Sequence, residues 1–203
     1  MIADYSPTPG VSKNMPALVV KNVSKSFGGL KAVDVKQIEI ESGVITALIG
    51  PNGAGKTTVF NLLTKFHAST AGQIWFNGQD ITRENQVQVA RRGMIRSFQI
   101  SATFAHLTAM ENVRVALQRK RSDSFNFWSS ERRLNVLNDK AMALLEAVDL
   151  KQFADTVTVE MPYGRKRALE IATTLALEPE LMLLDEPTQG MGHEDVGRVV
   201  ELI

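Results

Sequence analysis

The apolar and polar positions in the first half of the chain follow the pattern of strands. Short apolar runs separated by glycine-containing turns predict strands there, and the residues after position 58 predict a helix over 59–66. Asn77 and Gly78 form a dipeptide typical of tight turns, which predicts a hairpin over 73–81. The other predicted strands of this half are 17–23, 35–40, 44–50 and 94–99.

From about residue 104 the apolar spacing becomes that of helices. Thr108 and Glu111 form the sequence pattern of a capping box, and helical spacing continues from Leu134 to Val148. Strands, then helices, then a buried strand predict an α/β core that carries a helical subdomain. The same stretch predicts a further helix over 168–175, and after it the pattern predicts a buried strand over 181–185 and a last helix that the chain end interrupts.

Composition excludes several classes of protein. The 203 residues are 44% hydrophobic and 22% charged, which is ordinary for a folded soluble protein. A net charge of +1 leaves no overall electrostatic footprint of a nucleic-acid binder, and the absence of cysteine excludes disulfide and thiolate chemistry. No stretch approaches the ~18 apolar residues of a membrane span, and residues 1–16 lack the layout of a secretory signal. We therefore expect a cytoplasmic protein with a flexible tail over 1–16.

The most specific chemical motif is GPNGAGKT, which matches the phosphate-binding P-loop pattern G-x-x-x-x-G-K-[ST]. Its glycines allow a tight loop whose backbone N–H groups face phosphate oxygens. Lys56 is expected to reach the β and γ phosphates of a nucleotide, and Thr57 to offer its hydroxyl to Mg²⁺. The predicted nucleotide-binding residues are Gly50, Pro51, Asn52, Gly53, Ala54, Gly55, Lys56, Thr57 and Thr58.

A second motif, LMLLDEP, places two carboxylates at the end of an apolar strand. A carboxylate at the end of a buried strand beside a P-loop can hold Mg²⁺, and its neighbour can polarise the attacking water. We therefore expect Asp185 to bind the metal and Glu186 to act on the water. The alternative for these residues is a solvated acidic pair.

Three consecutive cations, Arg165, Lys166 and Arg167, stand at the start of an otherwise apolar predicted helix. The N-terminal end of a helix is already positive, so cations there cost about 0.3 to 1 kcal/mol each. Either solvent screens these charges, or an anion binds there.

With these motifs the chain resembles the nucleotide-binding domain of ABC transporters from residue 17 onward. The resemblance implies a P-loop NTPase core whose mixed sheet has an antiparallel N-terminal part. It also implies one ATPase domain over 17–203, with a helical subdomain at about 104–178. Gln99 in RSFQIS matches a family glutamine that serves catalysis and the Mg²⁺ site and connects them to this subdomain. Phe27 in KSFGGLKAV matches an aromatic residue that stacks on adenine, with a core phenylalanine as the alternative.

The family's signature segment, L-S-G-G-Q, has MPYGR as its counterpart here. In the family this segment binds ATP held by a partner subunit, so the resemblance implies a dimer with nucleotides at its interface. Proline cannot supply the hydroxyl of the usual serine, whereas backbone N–H groups at the helix start remain able to bind phosphate. The neighbouring cations are then expected to attract that phosphate. The predicted signature residues are Met161, Pro162, Tyr163, Gly164 and Arg165.

The P-Y-G segment with LEIA and DEPTQGMG is similar to the ATPase subunits of branched-chain amino-acid importers. Relatives that import urea or short amides look much the same. The resemblance implies ATP hydrolysis at the inner face of the cell membrane, with permease subunits, a second ATPase subunit and, indirectly, a solute-binding protein as partners. It implies no nucleic-acid partner.

Two alternatives remain open: a non-transport ABC ATPase, and an ATP-binding module with little turnover. Only a short helical insert separates Lys56 from Gly164, which favours transport because chromosome ATPases place long coiled coils there. Gly192 replaces a family aspartate, and His193 comes too early to be the family's switch histidine. We therefore expect a C-terminally truncated core.

Overall fold

The computed structural model describes residues 16–97, 103–120 and 136–185. It divides into two compact units, residues 1–92 and 93–203.

The second unit begins at Gly93, before the helical subdomain that the sequence predicts from about residue 104. It begins earlier because it also contains the strand that follows Gly93. The single ATPase domain over 17–203 stays a prediction. The predicted tail over 1–16 lies outside the described residues except for Pro16, which begins the first strand.

An antiparallel sheet dominates the described part of the first unit. Its strands lie in the order β2-β1-β3-β4. Leu18 pairs with Phe76 and Val20 with Ile74, so these four buried side chains share one face of the sheet. The strands are β1 (Pro16–Phe27), β2 (Leu30–Glu41), β3 (Ala71–Phe76) and β4 (Gln79–Asp80).

The predicted hairpin over 73–81 is confirmed. Asn77 and Gly78 have φ angles of 48° and 73°, and two successive positive φ angles are what a tight two-residue turn of type I′ requires. Thr82 extends the connection, because its hydroxyl oxygen accepts a hydrogen bond of 2.9 Å from the backbone N–H of Ile74.

The strand predicted over 44–50 is wrong. These residues form no ladder in the structure, and Ile45 and Ile49 are 78% and 89% exposed. An apolar run suits a buried strand, but a strand also needs a hydrogen-bonded neighbour. None of the strands in the described residues pairs with this segment. The sequence pattern identifies the apolar run but does not indicate whether a partner strand lies beside it.

Two helices complete the described part of the first unit, α1 (Lys56–Leu63) and α2 (Gln86–Arg91). The α1 helix begins three residues before the predicted start at 59, directly after a glycine in the left-handed conformation. Its buried face carries Leu62 and Leu63.

The second unit contains a parallel strand pair, β5 (Met94–Ser97) and β6 (Leu181–Leu184). Residues 98 and 99 of the predicted strand 94–99, and the predicted last helix, lie outside the described residues. Parallel neighbours require a long crossover connection, and helices occupy the described parts of this one. These helices are α3 (Ala109–Leu117), α4 (Asn138–Ala147) and α5 (Tyr163–Ala176).

The predicted capping box at the start of α3 is confirmed. Glu111 N–H donates to the Thr108 hydroxyl at 3.2 Å, and Thr108 N–H donates to the Glu111 carboxylate at 2.7 Å. Asn112 is buried one position later and donates to the Thr158 hydroxyl at 3.0 Å, which ties α3 to the segment before α5. The apolar core around these helices includes Ala109, Val113, Leu117, Ala141, Leu145, Leu150, Leu169, Ala172 and Ala176.

Lys65 follows α1 and is half-buried, with its ammonium donating to the Thr82 carbonyl at 3.2 Å. Burial lowers the pKa of Lys65 from its ordinary value of 10.5 to about 8, while Asp80 and Glu84 raise it. The unfolded chain therefore binds more protons than the folded chain between these two values. Over that window this lysine makes the free energy of unfolding rise as the pH rises.

We expect Lys65→Met to remove this alkaline gain in stability. The wild-type free energy of unfolding, relative to that of Lys65→Met, should rise by about 1 kcal/mol from pH 8 to pH 10.5, after allowance for solvent screening. Urea unfolding at a series of pH values measures this difference, with exposed Lys36→Met as the control for loss of a lysine charge. Parallel pH profiles for wild type and Lys65→Met would contradict the prediction.

Candidate functional site

The P-loop residues of the first unit form a tight turn that leads into α1. Gly53 and Gly55 have φ angles of 79° and 87°, in the left-handed region that favours glycine. A Cβ atom on Gly55 would lie 2.9 Å from the carbonyl oxygen of Ala32, so this position also needs glycine for space. The loop backbone therefore has the conformation and the close packing that its glycines predict.

Lys56 is the first residue of α1 and folds back over the loop. Its ammonium donates to the carbonyl oxygens of Gly50 at 2.6 Å and Pro51 at 2.9 Å. The first turn of α1 carries no acidic side chain, and no side chain caps its N-terminus. Backbone N–H groups and a lysine ammonium thus stand at one helix start, which is an arrangement suited to phosphate.

The remaining loop residues are accessible to a ligand to different degrees. Thr57 is exposed and Thr58 is half-buried in the first turn of α1. Pro51, Asn52, Gly53 and Ala54 are exposed, whereas Gly50, Gly55 and Lys56 are half-buried.

Phe27 lies at the end of β1 with 46% of its surface exposed, so the alternative of a core phenylalanine is wrong. It pairs with Leu30 in the β1–β2 hairpin, and Ala32, two residues further on, is the residue against which Gly55 packs. The hairpin end that carries the Phe27 ring therefore lies beside the P-loop. The His67 ring contacts the Phe27 ring edge-on, with centroids 5.5 Å apart.

In the second unit, Asp185 follows β6 and is only 8% exposed. Its carboxylate accepts a charge-assisted hydrogen bond of 2.7 Å from the Arg96 guanidinium on β5. The solvated acidic pair considered for this position is therefore wrong for Asp185. Glu186, the predicted catalytic carboxylate, and Gln99, the predicted catalytic and metal-binding glutamine, lie outside the described residues.

The three cations at the start of α5 each have a partner within the unit. Arg167 is 4% exposed and forms a buried ion pair with Glu170 at 2.5 Å. The Lys166 ammonium donates to the Val159 carbonyl at 3.0 Å. The guanidinium carbon of Arg165 lies 3.6 Å from the centroid of the Phe153 ring. These contacts account for the cations without an anion, and solvent screening is wrong for Arg167.

The five signature residues lie just before the start of α5 and in its first turn. Pro162 is the N-cap residue and makes no side-chain cap hydrogen bond, as its missing hydroxyl predicts. Tyr163 is 51% exposed and Gly164 is half-buried. Met161 needs a correction, because its side chain is 4% exposed and packs in the core of the helices instead of facing a ligand.

Arg96 is the functional candidate that sequence reasoning missed. The available signal was an arginine inside the apolar strand MIRS, in the same segment as the predicted Gln99. A charged residue in a buried strand requires a partner, and here the partner is the predicted metal ligand.

The donor chemistry at Asp185 suits Mg²⁺, because a buried carboxylate oxygen is a hard ligand that already requires a cation beside it. The described residues contain no group of three or more His, Asp or Glu side chains that could hold a metal ion. Mg²⁺ that binds together with nucleotide phosphates commonly takes only one or two protein carboxylates. Within the described residues, no helix combines the length and apolarity needed to cross a membrane.

The family comparison agrees with these features. Residues 33–189 match the family model described as ABC transporter. The branched-chain amino acid transport ATP-binding protein BraF of Pseudomonas aeruginosa is 37% identical over 196 residues, which are 93% of this chain and 76% of BraF. LivG of Escherichia coli strain K12, also a branched-chain amino acid transport ATP-binding protein, is 37% identical over 94% of this chain and 76% of its own length.

The fold comparison gives the same result. The crystal structure of an ATP-binding cassette of an ABC transporter in its ADP conformation superposes with a TM-score of 0.76. It is 26% identical in sequence, and the match covers 93% of this chain and 75% of that one. The predicted α/β P-loop fold of the ABC type is confirmed. The chain belongs to the ABC transporter family, as an ATP-binding cassette.

Proposed function

We propose that this chain is the ATP-hydrolysing subunit of an importer for branched-chain amino acids. The observation that carries the proposal is the P-loop, in which left-handed glycines and the Lys56 ammonium meet at the start of α1. The names of BraF and LivG, both about a third identical to this chain, support the choice of solute.

ATP binding would use groups that this chain already holds in place. Lys56 would exchange the carbonyl oxygens of Gly50 and Pro51 for phosphate oxygens, and backbone N–H groups of the loop would complete the phosphate cradle. The exposed Phe27 ring, on a hairpin end beside the loop, would stack on the adenine.

The metal ligands would be the Thr57 hydroxyl, the Asp185 carboxylate and the Gln99 amide. When bound, Mg²⁺ neutralises charge that builds on the transferred phosphoryl group. Glu186 would orient and polarise the attacking water. This assignment rests on the family resemblance and on the buried, cation-paired environment of Asp185.

The signature segment would complete the site of a second ATPase subunit. The main-chain N–H groups that follow Pro162 would bind the partner's γ-phosphate, because proline offers no hydroxyl. Closing of this dimer on ATP and its reopening after hydrolysis would drive membrane permease subunits at the inner face of the cell membrane. A solute-binding protein would act on the permease from the other side.

Uptake in the source organism tests this proposal. Deletion of the gene should abolish ATP-dependent uptake of labelled leucine, isoleucine and valine, and the wild-type gene on a plasmid should restore it. The same gene carrying Lys56→Met should not restore uptake. Loss of urea or acetamide uptake with normal leucine uptake would show that the solute is wrong, and normal uptake of all these solutes would show that transport is wrong.

A further inference from the structure

The ladder between β5 and β6 places Arg96 and Asp185 on the same face. Arg96 pairs with Leu183 in the parallel register, and Asp185 lies two positions beyond Leu183. Side chains two positions apart project to the same side of a strand. The side chains of Arg96 and Asp185 meet at 2.7 Å, and they are only 8% and 10% exposed.

This pair lies in a buried environment where charges need compensation. A carboxylate removed from water is strongly disfavoured unless an opposite charge or hydrogen bonds replace the solvent. Arg96 provides both, because its Nη2 group donates to Asp185 Oδ2. The fold therefore supplies a cation beside the buried Asp185 carboxylate before any metal arrives.

A second arginine contacts the same residue in a different way. The Arg167 guanidinium donates to the main-chain carbonyl of Asp185 at 3.4 Å, and its charge is compensated by Glu170 at 2.5 Å. Arg167 thus stabilises the strand end without pairing with the Asp185 carboxylate. The two arginines are similarly buried, so one can serve as a control for the other.

We propose that the Arg96 guanidinium takes the place of the metal cation beside Asp185. It compensates the Asp185 charge in the nucleotide-free chain and thereby lowers the Mg²⁺ affinity of the ATP-bound chain. This inference rests on the proposed function. Two cations beside one carboxylate repel each other, so the Arg96 charge must weaken Mg²⁺ binding at Asp185. By thermodynamic linkage, bound Mg²⁺ must weaken the Arg96–Asp185 ion pair by the same factor by which Arg96 weakens Mg²⁺ binding. Arg96 is a positioning residue in this scheme.

A Mg²⁺ titration of nucleotide binding tests the inference. The whole chain would be titrated with Mg²⁺ at a fixed concentration of a non-hydrolysable ATP analogue, with bound analogue measured by fluorescence. We expect Arg96→Gln to lower the half-saturating Mg²⁺ concentration at least about 5-fold. Arg96→Lys keeps a charge with poorer geometry, so its half-saturating concentration should fall between those of Arg96→Gln and wild type.

Thermal unfolding supplies a readout that does not depend on turnover. Arg96→Gln should have a lower Tm than wild type without ligand, and Mg²⁺ with the analogue should raise its Tm more than it raises that of wild type. Arg167→Gln should also lower the Tm, but should leave the half-saturating Mg²⁺ concentration unchanged. In a chain that already carries Asp185→Asn, adding Arg96→Gln should no longer lower the half-saturating Mg²⁺ concentration.

The outcomes separate this inference from the proposed function. A wild-type chain that fails to bind the analogue at any Mg²⁺ concentration overturns both. Normal wild-type binding with an unchanged or higher Mg²⁺ midpoint in Arg96→Gln overturns the inference alone. If Arg96→Gln does not fold, a midpoint in Arg96→Lys equal to or above that of wild type overturns it in the same way.

Discussion

Replacing Lys56 by methionine should reduce ATP hydrolysis by at least about 100-fold, the size of effect typical when one charge-stabilising donor is removed from an active site. The wild-type ammonium lies 2.6 Å from Gly50 O and 2.9 Å from Pro51 O, so it is already held at the loop that would receive the phosphates. Methionine retains the unbranched shape and most of the length of the side chain but removes the charge. Phosphate release at saturating ATP measures the effect.

The matched control for this variant is Lys36→Met. Lys36 is an exposed lysine of the same unit, on β2 and four residues beyond Ala32. This change should leave the hydrolysis rate within about 2-fold of wild type, as expected for an exposed side chain outside the proposed nucleotide contacts. Equal rates in Lys56→Met and Lys36→Met would show that Lys56 does not act on the nucleotide.

Replacing Glu186 by glutamine should lower turnover by about 10²- to 10⁴-fold while ATP binding is retained. Glutamine has nearly the same shape but cannot accept a proton from the attacking water. Single-turnover hydrolysis and equilibrium binding of labelled ATP would separate the two effects.

Glu178→Gln controls for loss of a carboxylate in the second unit, since Glu178 forms an ion pair with Lys140 and belongs to neither the signature segment nor the LMLLDEP motif. Its turnover should match wild type. A Glu186→Gln variant that turns over at the wild-type rate would refute the catalytic role, and one that no longer binds ATP would point to a binding role.

Features whose determinants lie within a few residues of one another could be predicted from the sequence. The turn at Asn77 and Gly78 depends on local backbone preference, and the capping box joins Thr108 to a residue only three positions away. The P-loop belongs to the same class, because Gly53 and Gly55 adopt the left-handed conformations that the motif requires.

Features that depend on distant partners could not be predicted. Residues 44–50 have the composition of a strand, yet no strand in the described part of the chain pairs with them. Arg96 and Asp185 are 89 positions apart, so no spacing rule connects them. The three cations at the start of α5 suggested a bound anion until Glu170, Val159 and Phe153 proved to be their partners.

Solute uptake by reconstituted vesicles tests the central claim most directly. The chain would be purified with the membrane permease subunits that bind it and placed in vesicles, with ATP on the side of the ATPase subunit. The account predicts that labelled leucine accumulates only with ATP, and that Lys56→Met abolishes this accumulation. ATP hydrolysis without leucine accumulation, or leucine accumulation that persists in Lys56→Met, would contradict it.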